Sequence, residues 1–124
     1  MKNTLDDNKP IFLQIKEQIE DSIINGEFNP EDKVPSTNEF ASFYKINPAT
    51  AGKGINELVA EGILYKRRGV GMFVTEEARD ILIEGRRKLF YEKFMLPLKK
   101  EAEKLGMNRD DLIQMMKRDD NHED

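Results

Sequence analysis

Few residues in this chain of 124 are of a type that does covalent or proton-transfer chemistry. There is no cysteine, and the one histidine, His122, lies in the acidic terminal run DDNHED. With no thiolate, and the only imidazole in a stretch expected to be disordered, one chain can assemble neither a soft-metal site nor a nucleophile–base pair. Gly69-x-Gly71 is not followed by a helix start, so it does not read as a phosphate-cradling loop. Asp110 and Asp111 are accounted for as charges at a helix N-terminus. Glu57 and Glu61, four residues apart, read as solvated positions on one helix rather than an acid pair. No catalytic residue, metal site or cofactor is expected. What remains is cationic: Lys33, Lys53, Arg67 and Arg68 stand among the hydrogen-bonding residues Ser36, Thr37, Asn38, Asn47, Thr50 and Asn56. Positive charge mixed with small polar side chains is chemistry directed at anions, phosphate above all.

The charge distribution supports this although the total opposes it. With 20 basic and 24 acidic residues the chain is net −4. Residues 1–32 hold three bases and eight acids, whereas residues 33–75 hold six bases and three acids, so the middle of an acidic chain is net +3. Charged residues make up 35% of the chain and hydrophobic ones 38%, lean for a monomer burying its own core, and a second copy is a natural source of further surface. No run of 18 apolar residues occurs and MKNTLDDNKP has no apolar signal core, so neither a membrane span nor an export signal is expected, and the location expected is cytoplasmic.

The elements that would position these residues follow from periodicity and punctuation. Pro10 opens a helix with Ile11, Ile15, Ile19 and Ile23 at four-residue steps, flanked by Phe12 and Ile24 and stopped at Gly26. Asn29–Asp32 reads as a turn and Lys33-Val34-Pro35 as a short extended stretch. Ser36-Thr37-Asn38-Glu39 is a capping box that starts a short second helix. After a turn at Lys45-Ile46, Asn47-Pro48 supplies a cap and a first-turn proline for a third helix, with Ala51, Ile55, Leu58 and Val59 inward. Two strand-like runs, 63–67 and 72–75, joined across Arg68-Gly69-Val70-Gly71, read as a hairpin. Residues 8–75 therefore predict a winged helix-turn-helix, in a chain that is mainly α with a small β-hairpin. Residues 76–118 read as purely helical, divided or kinked at Pro97, with Asn108 capping a last short helix; 119–124 reads as a disordered acidic tail.

In such a layout the third helix meets base edges. Its outward face offers Pro48, Ala49, Gly52, Lys53 and Asn56, with Thr50 near the tip, and Gly69 and Gly71 allow the Arg67–Arg68 hairpin close to a backbone or into a minor groove. Double-stranded DNA is thus the expected partner, with Lys53 and Arg67 the most important cations. A module docking another protein through the same surface is the alternative, favoured by the bare Ala49 and Gly52 and by the negative total charge.

Five ordered motifs carry a resemblance. Pro10-Ile11-Phe12-Leu13-Gln14-Ile15, Lys33-Val34-Pro35-Ser36, Ile46-Asn47-Pro48-Ala49-Thr50, Glu57–Leu64 and Arg68-Gly69-Val70-Gly71-Met72-Phe73-Val74 together resemble the GntR family of bacterial transcription regulators over residues 10–75. The Asn47-Pro48-x-Thr50 helix start and the short C-terminal segment resemble its YtrA subfamily. The resemblance implies a homodimeric repressor of a palindromic operator, often controlling transporter genes beside its own, with the dimer made by the C-terminal helices. It also marks departures. Asn38 stands where the family usually has an arginine, and Gly52 and Gly54 stand where it prefers a polar residue and alanine. Each glycine costs the helix about 1 kcal/mol, and weaker or less discriminating DNA binding is expected.

Independently of the family, the apolar stripe through Leu82, Leu89, Phe90, Phe94, Leu98 and Leu105 needs cover, and self-association supplies it with two-fold symmetry. Packing against the first helix is the alternative. No separate ligand domain is visible; a cavity among the tail helices is the place left for an effector of unknown identity.

Overall fold

The structure, a computed structural model, describes residues 5–118. The acidic run 119–124 and its histidine lie outside the described residues. The described residues form two compact units, divided between Gly85 and Arg86.

In the first unit, helix α1 (Ile11–Ile24) starts at Pro10, whose carbonyl accepts from the Leu13 and Gln14 N–H groups at 3.2 and 3.3 Å. Ile15, Ile19 and Ile23 are buried, and Gly26, at φ 85°, supplies the left-handed turn that ends the helix. Strand β1 (Lys33–Val34) leads into helix α2 (Thr37–Tyr44), whose Ser36–Glu39 capping box forms as its sequence indicates. Helix α3 (Pro48–Ala60) is capped by the Asn47 side chain, has Pro48 in its first turn, and buries Ala51, Gly54, Ile55 and Leu58. Strands β2 (Leu64–Arg67) and β3 (Gly71–Val74) make the hairpin.

The sheet has three strands rather than two, because β1 adds to the hairpin in the order β1-β3-β2, antiparallel throughout. Its register sets Lys33 beside Phe73 and Phe73 beside Tyr65 on one face, and Val34 beside Met72 on the other. Val34, Leu64 and Val74 join the isoleucines of α1 and the inner face of α3 in one core.

Where α1 and α3 cross, the chain comes closer than helix propensity suggests. A Cβ on Gly54 would lie 2.6 Å from the Phe12 carbonyl oxygen. Glycine permits this approach in the present chain, closer than the alanine expected from the resemblance would allow, so its helix cost accompanies a structural gain.

Two expectations need correction. Leu82, assigned to the dimer stripe, is 7% exposed and sits in the core of the first unit together with Ala78. The first unit consequently runs to Gly85, beyond the boundary expected at residue 75. Leu82→Ala should destabilise this unit by about 2–3 kcal/mol, the ordinary cost of emptying a core leucine site. Urea unfolding should show the same loss at every protein concentration; a loss confined to concentrated samples would return Leu82 to an intermolecular face.

Helix α4 (Ala78–Phe90) leads into a π-helical stretch, Tyr91–Met95, and then helix α5 (Leu96–Lys104). The cause is Pro97: in a regular α-helix its ring would clash with the Lys93 carbonyl, and a wider turn just before it relieves the contact. Helix α6 (Arg109–Met116) begins with a second capping box, in which the Asn108 side chain accepts from Asp111 N–H and Asp111 accepts from Asn108 N–H, both at 2.9 Å. The stripe residues Leu89, Phe90, Phe94, Leu98 and Leu105 are 59, 56, 56, 43 and 64% exposed, so nothing described within the chain covers them.

Candidate nucleic-acid interface

The helix-turn-helix is built by local hydrogen bonding. Ser36 Oγ accepts from Glu39 N–H at 3.0 Å, and Ser36 N–H donates to Glu39 Oε1 at 2.7 Å. Ser36 is therefore committed to the cap, which leaves the N–H groups of Thr37 and Asn38 as the donors open to an anion at this helix end. Hydrogen bonding of the carboxylate to Ser36, first to its backbone N–H and then to its hydroxyl, holds the Glu39 carboxyl below the usual carboxylate range. A depressed folded pKa means that the cap adds stability above the ordinary glutamate range and loses it as pH falls through the folded value. The Glu39 amide resonance, followed by NMR on acidification, should therefore move with a midpoint below that of an ordinary glutamate, and should stay still in Glu39→Gln.

The turn between α2 and α3 is closed by Lys45 in the left-handed region, φ 57°, and by Ile46 N–H donating to the Ala41 carbonyl at 2.9 Å. Asn47 Oδ1 then accepts from Ala49 N–H at 2.8 Å and starts α3. With Ala51, Ile55 and Leu58 turned inward, the outer face of α3 is left open: Ala49, Gly52, Lys53, Asn56, Glu57 and Ala60 line a concavity of about 610 Å³. Gly52 also faces α2, since a Cβ there would touch Thr37 Cγ2 at 3.6 Å. Lys53 is not a loose charge. Its Nζ lies 4.1 Å from the centre of the Phe12 ring, which holds the ammonium at the rim of that face.

The hairpin ends in a tight turn in which Val70 N–H donates to the Arg67 carbonyl at 2.9 Å, with Gly69 at φ 77°. At its base, Gly71 makes room for the Lys33 side chain, whose Cε would be 2.7 Å from a Cβ at that position. The two arginines differ. Arg68 is exposed at the tip with no ion pair among the described residues, whereas Arg67 lies across the sheet. Its guanidinium sits 4.4 Å above the Phe73 ring and 3.8 Å from Glu31. Tyr65 donates its hydroxyl to the Glu31 carboxylate, and that hydrogen bond raises the tyrosine pKa. Arg67 thus serves first as a strut of the outer sheet face, and the tip cation is Arg68.

Each candidate residue is at least partly accessible: Lys33, Asn38, Asn47, Pro48, Ala49, Lys53, Asn56, Arg67, Arg68 and Gly69 are exposed, and Ser36, Thr37, Thr50 and Gly71 are half-buried. Sequence reasoning misses α1. Lys16 reaches α3 with Nζ 3.3 Å from Glu57 Oε1 and 2.6 Å from Glu61 Oε2, so these two acids are partners of one lysine rather than merely solvated. The available signal was Phe12 and Lys16, four residues apart at the edge of the α1 stripe. Among the described residues, no cluster could hold a metal ion and no helix is long and apolar enough to cross a membrane.

A capped two-helix turn, an outward-facing second helix and an adjoining three-stranded wing define a winged helix-turn-helix protein. Within that class the chain belongs to the GntR family: the model described as "Bacterial regulatory proteins, gntR family" matches residues 12–74. Over 94% of its length it is 35% identical to the uncharacterised transcriptional regulator YhcF of Bacillus subtilis, spanning 95% of that protein. It is 37% identical to the transcriptional repressor YtrA of the same organism, over 68% of this chain and 65% of YtrA. A solved GntR-family transcriptional regulator from Listeria monocytogenes superposes with a TM-score of 0.74 at 33% identity, covering 91% of this chain and 97% of that one. The DNA-binding domain of AraR in complex with operator ORX1 superposes with a TM-score of 0.52 at 33% identity, over 60% of this chain and 92% of that one.

Proposed function

We propose that this chain is a homodimeric, sequence-specific DNA-binding repressor of an operon beside its own gene. The observation that carries the reading is the outer face of α3, left open while its inner face is buried, with Lys53 fixed at its rim and the Arg68 tip projecting from the adjoining hairpin. Each protomer sets α3 in a major groove and the 67–71 hairpin in the neighbouring minor groove. Thr37 and Asn38 hold a phosphate at the start of α2, and Asn47, Thr50 and Asn56 supply neutral donors and acceptors along α3. The repressor assignment is supported by the name of YtrA, and DNA as the partner by the AraR operator complex. The dimer is supported by the uncovered Leu89, Phe90, Phe94, Leu98 and Leu105, a stripe that a second copy would bury.

The test is fluorescence anisotropy with the DNA immediately upstream of the reading frame and with a shuffled duplex of the same composition, in excess competitor. Sedimentation gives the assembly state in parallel. Tight binding to the native fragment alone, by a dimer and weakening steeply with salt, is the expected result. No binding to either duplex at any salt would overturn the reading and favour a protein-docking module.

A further inference from the structure

Counting its C-terminal cap, α3 carries one base, Lys53, against two acids, Glu57 and Glu61, a poor balance for a helix meant to approach phosphate. Glu57 also lines the same open concavity as Lys53 and Asn56. We propose that Lys16, on α1, is a positioning residue for DNA binding: it masks the carboxylates of Glu57 and Glu61 so that the recognition face meets DNA without their repulsion. The inference rests on the DNA-binding reading above and adds to it a residue outside the contact surface.

The geometry is specific. One ammonium serves both acids, at 3.3 Å and 2.6 Å, and the Lys16 side chain is only 15% exposed while those of Glu57 and Glu61 are 38% and 44% exposed. Burial pulls the Lys16 pKa down, but the hydrogen bonds to Glu61 and Glu57, with the charges of Glu61 and Glu20, more than offset it, and the pKa is raised. The lysine therefore stays protonated when DNA is present or absent. A purely mechanical tie is already provided nearby, because α1 and α3 interlock through Gly54 and the isoleucine core, and partly exposed ion pairs add little stability. Helix α1 thus arranges all three charges of its neighbour: the Phe12 ring holds Lys53, and Lys16 draws the acids inward.

The test uses the full chain and four variants, Lys16→Met, Lys16→Arg, Glu57→Gln with Glu61→Gln, and the triple Lys16→Met, Glu57→Gln, Glu61→Gln. Each is titrated by anisotropy against a mixed-sequence duplex at low and moderate salt, with a thermal melt beside it. Lys16→Met should bind about five- to tenfold more weakly at low salt, the effect shrinking as salt rises. Lys16→Arg should match the parent, and the glutamine pair should bind at least as tightly as the parent. Removing the two carboxylates should also gain several-fold more affinity in the Lys16→Met background than with Lys16 present. Equal gains in both backgrounds would reduce Lys16 to one more positive charge and overturn the proposal, as would weakened binding by the glutamine pair. Should Lys16→Met not fold, Lys16→Gln replaces it in the single and triple variants, and the same comparison of gains decides. Absence of DNA binding by the parent chain at any salt would take down the DNA-binding reading and this inference with it, whereas a parent that binds beside an unaltered Lys16→Met would overturn this inference alone.

Discussion

Replacing Gly54 by alanine should destabilise the protein by about 2–3 kcal/mol, even though alanine is the better helix former by about 1 kcal/mol. The added methyl would lie 2.6 Å from the Phe12 carbonyl oxygen, with the Phe12 carbonyl carbon and the Lys16 nitrogen each at 3.5 Å. All three are backbone atoms of a helix, so none can swing aside. Helix α1 would have to lift off α3 and loosen the layer formed by Ile15, Ile19, Ile55 and Leu58, which are fully buried. Urea unfolding of the parent and the variant checks this. An unchanged or higher midpoint would show that the two helices separate at little cost, and the close approach would then have no energetic weight. Glycine to alanine at Gly85, where an added methyl would meet nothing within 4 Å beyond its own turn of helix, is the matched control and should be neutral or mildly stabilising.

The second large effect is on binding. Lys53→Ala combined with Arg68→Ala should weaken binding to the upstream DNA fragment about 100-fold at moderate salt while leaving the assembly state seen in sedimentation unchanged. Arg68 replaces Arg67 in this pair for a structural reason. The Arg67 guanidinium is stacked 4.4 Å above Phe73 and lies 3.8 Å from Glu31, so part of its charge is already satisfied within the sheet. Arg67→Ala alone should disturb the wing and weaken binding less than the paired change. If Arg67→Ala proved the more damaging, the tip would not be the contact and the outer sheet face would have to be. If the paired change left affinity intact, the interface proposed here would be misplaced.

How much of this was written in the sequence depends on the range over which each signal acts. The caps at Ser36, Asn47 and Asn108 are encoded within four residues, and they form where the residues indicate. So does the hairpin, announced by the glycines at its turn. Features that require two distant segments were not legible. Gly54 carries only a helix penalty until α1 is laid across it. Lys16 is 41 and 45 residues from its two partners, and no local pattern joins them. The third strand, β1, is two residues long and is defined entirely by the partner it finds in β3. Leu82 continues the apolar spacing of the tail, and only packing reveals that the first turns of α4 serve the core of the first unit. At the candidate site, the different tasks of Arg67 and Arg68 emerge only in three dimensions, since Arg67 ends the strand on the face that carries Phe73 while Arg68 lies in the turn beyond it.

The π-helical stretch at Tyr91–Met95 has a consequence for helical phase. In an α-helix, a step of four residues overshoots a full turn by about 40°. At the roughly 4.4 residues per turn of the wider geometry, the same step falls about 33° short. The step from Phe90 to Phe94 crosses the wide stretch and the step from Phe94 to Leu98 enters α5, so the errors do not accumulate and the three side chains stay within about 40° of one another. The Phe90 and Phe94 rings are accordingly 5.5 Å apart, centre to centre. Because Pro97 keeps this stretch from returning to regular α geometry, removing a single residue from 91–95 would swing one end of this band by about 80° relative to the other, whereas substituting any one of its members would only thin it. Chain length in this segment is therefore under tighter constraint than residue identity, and relatives that keep both aromatics should keep the spacing between them.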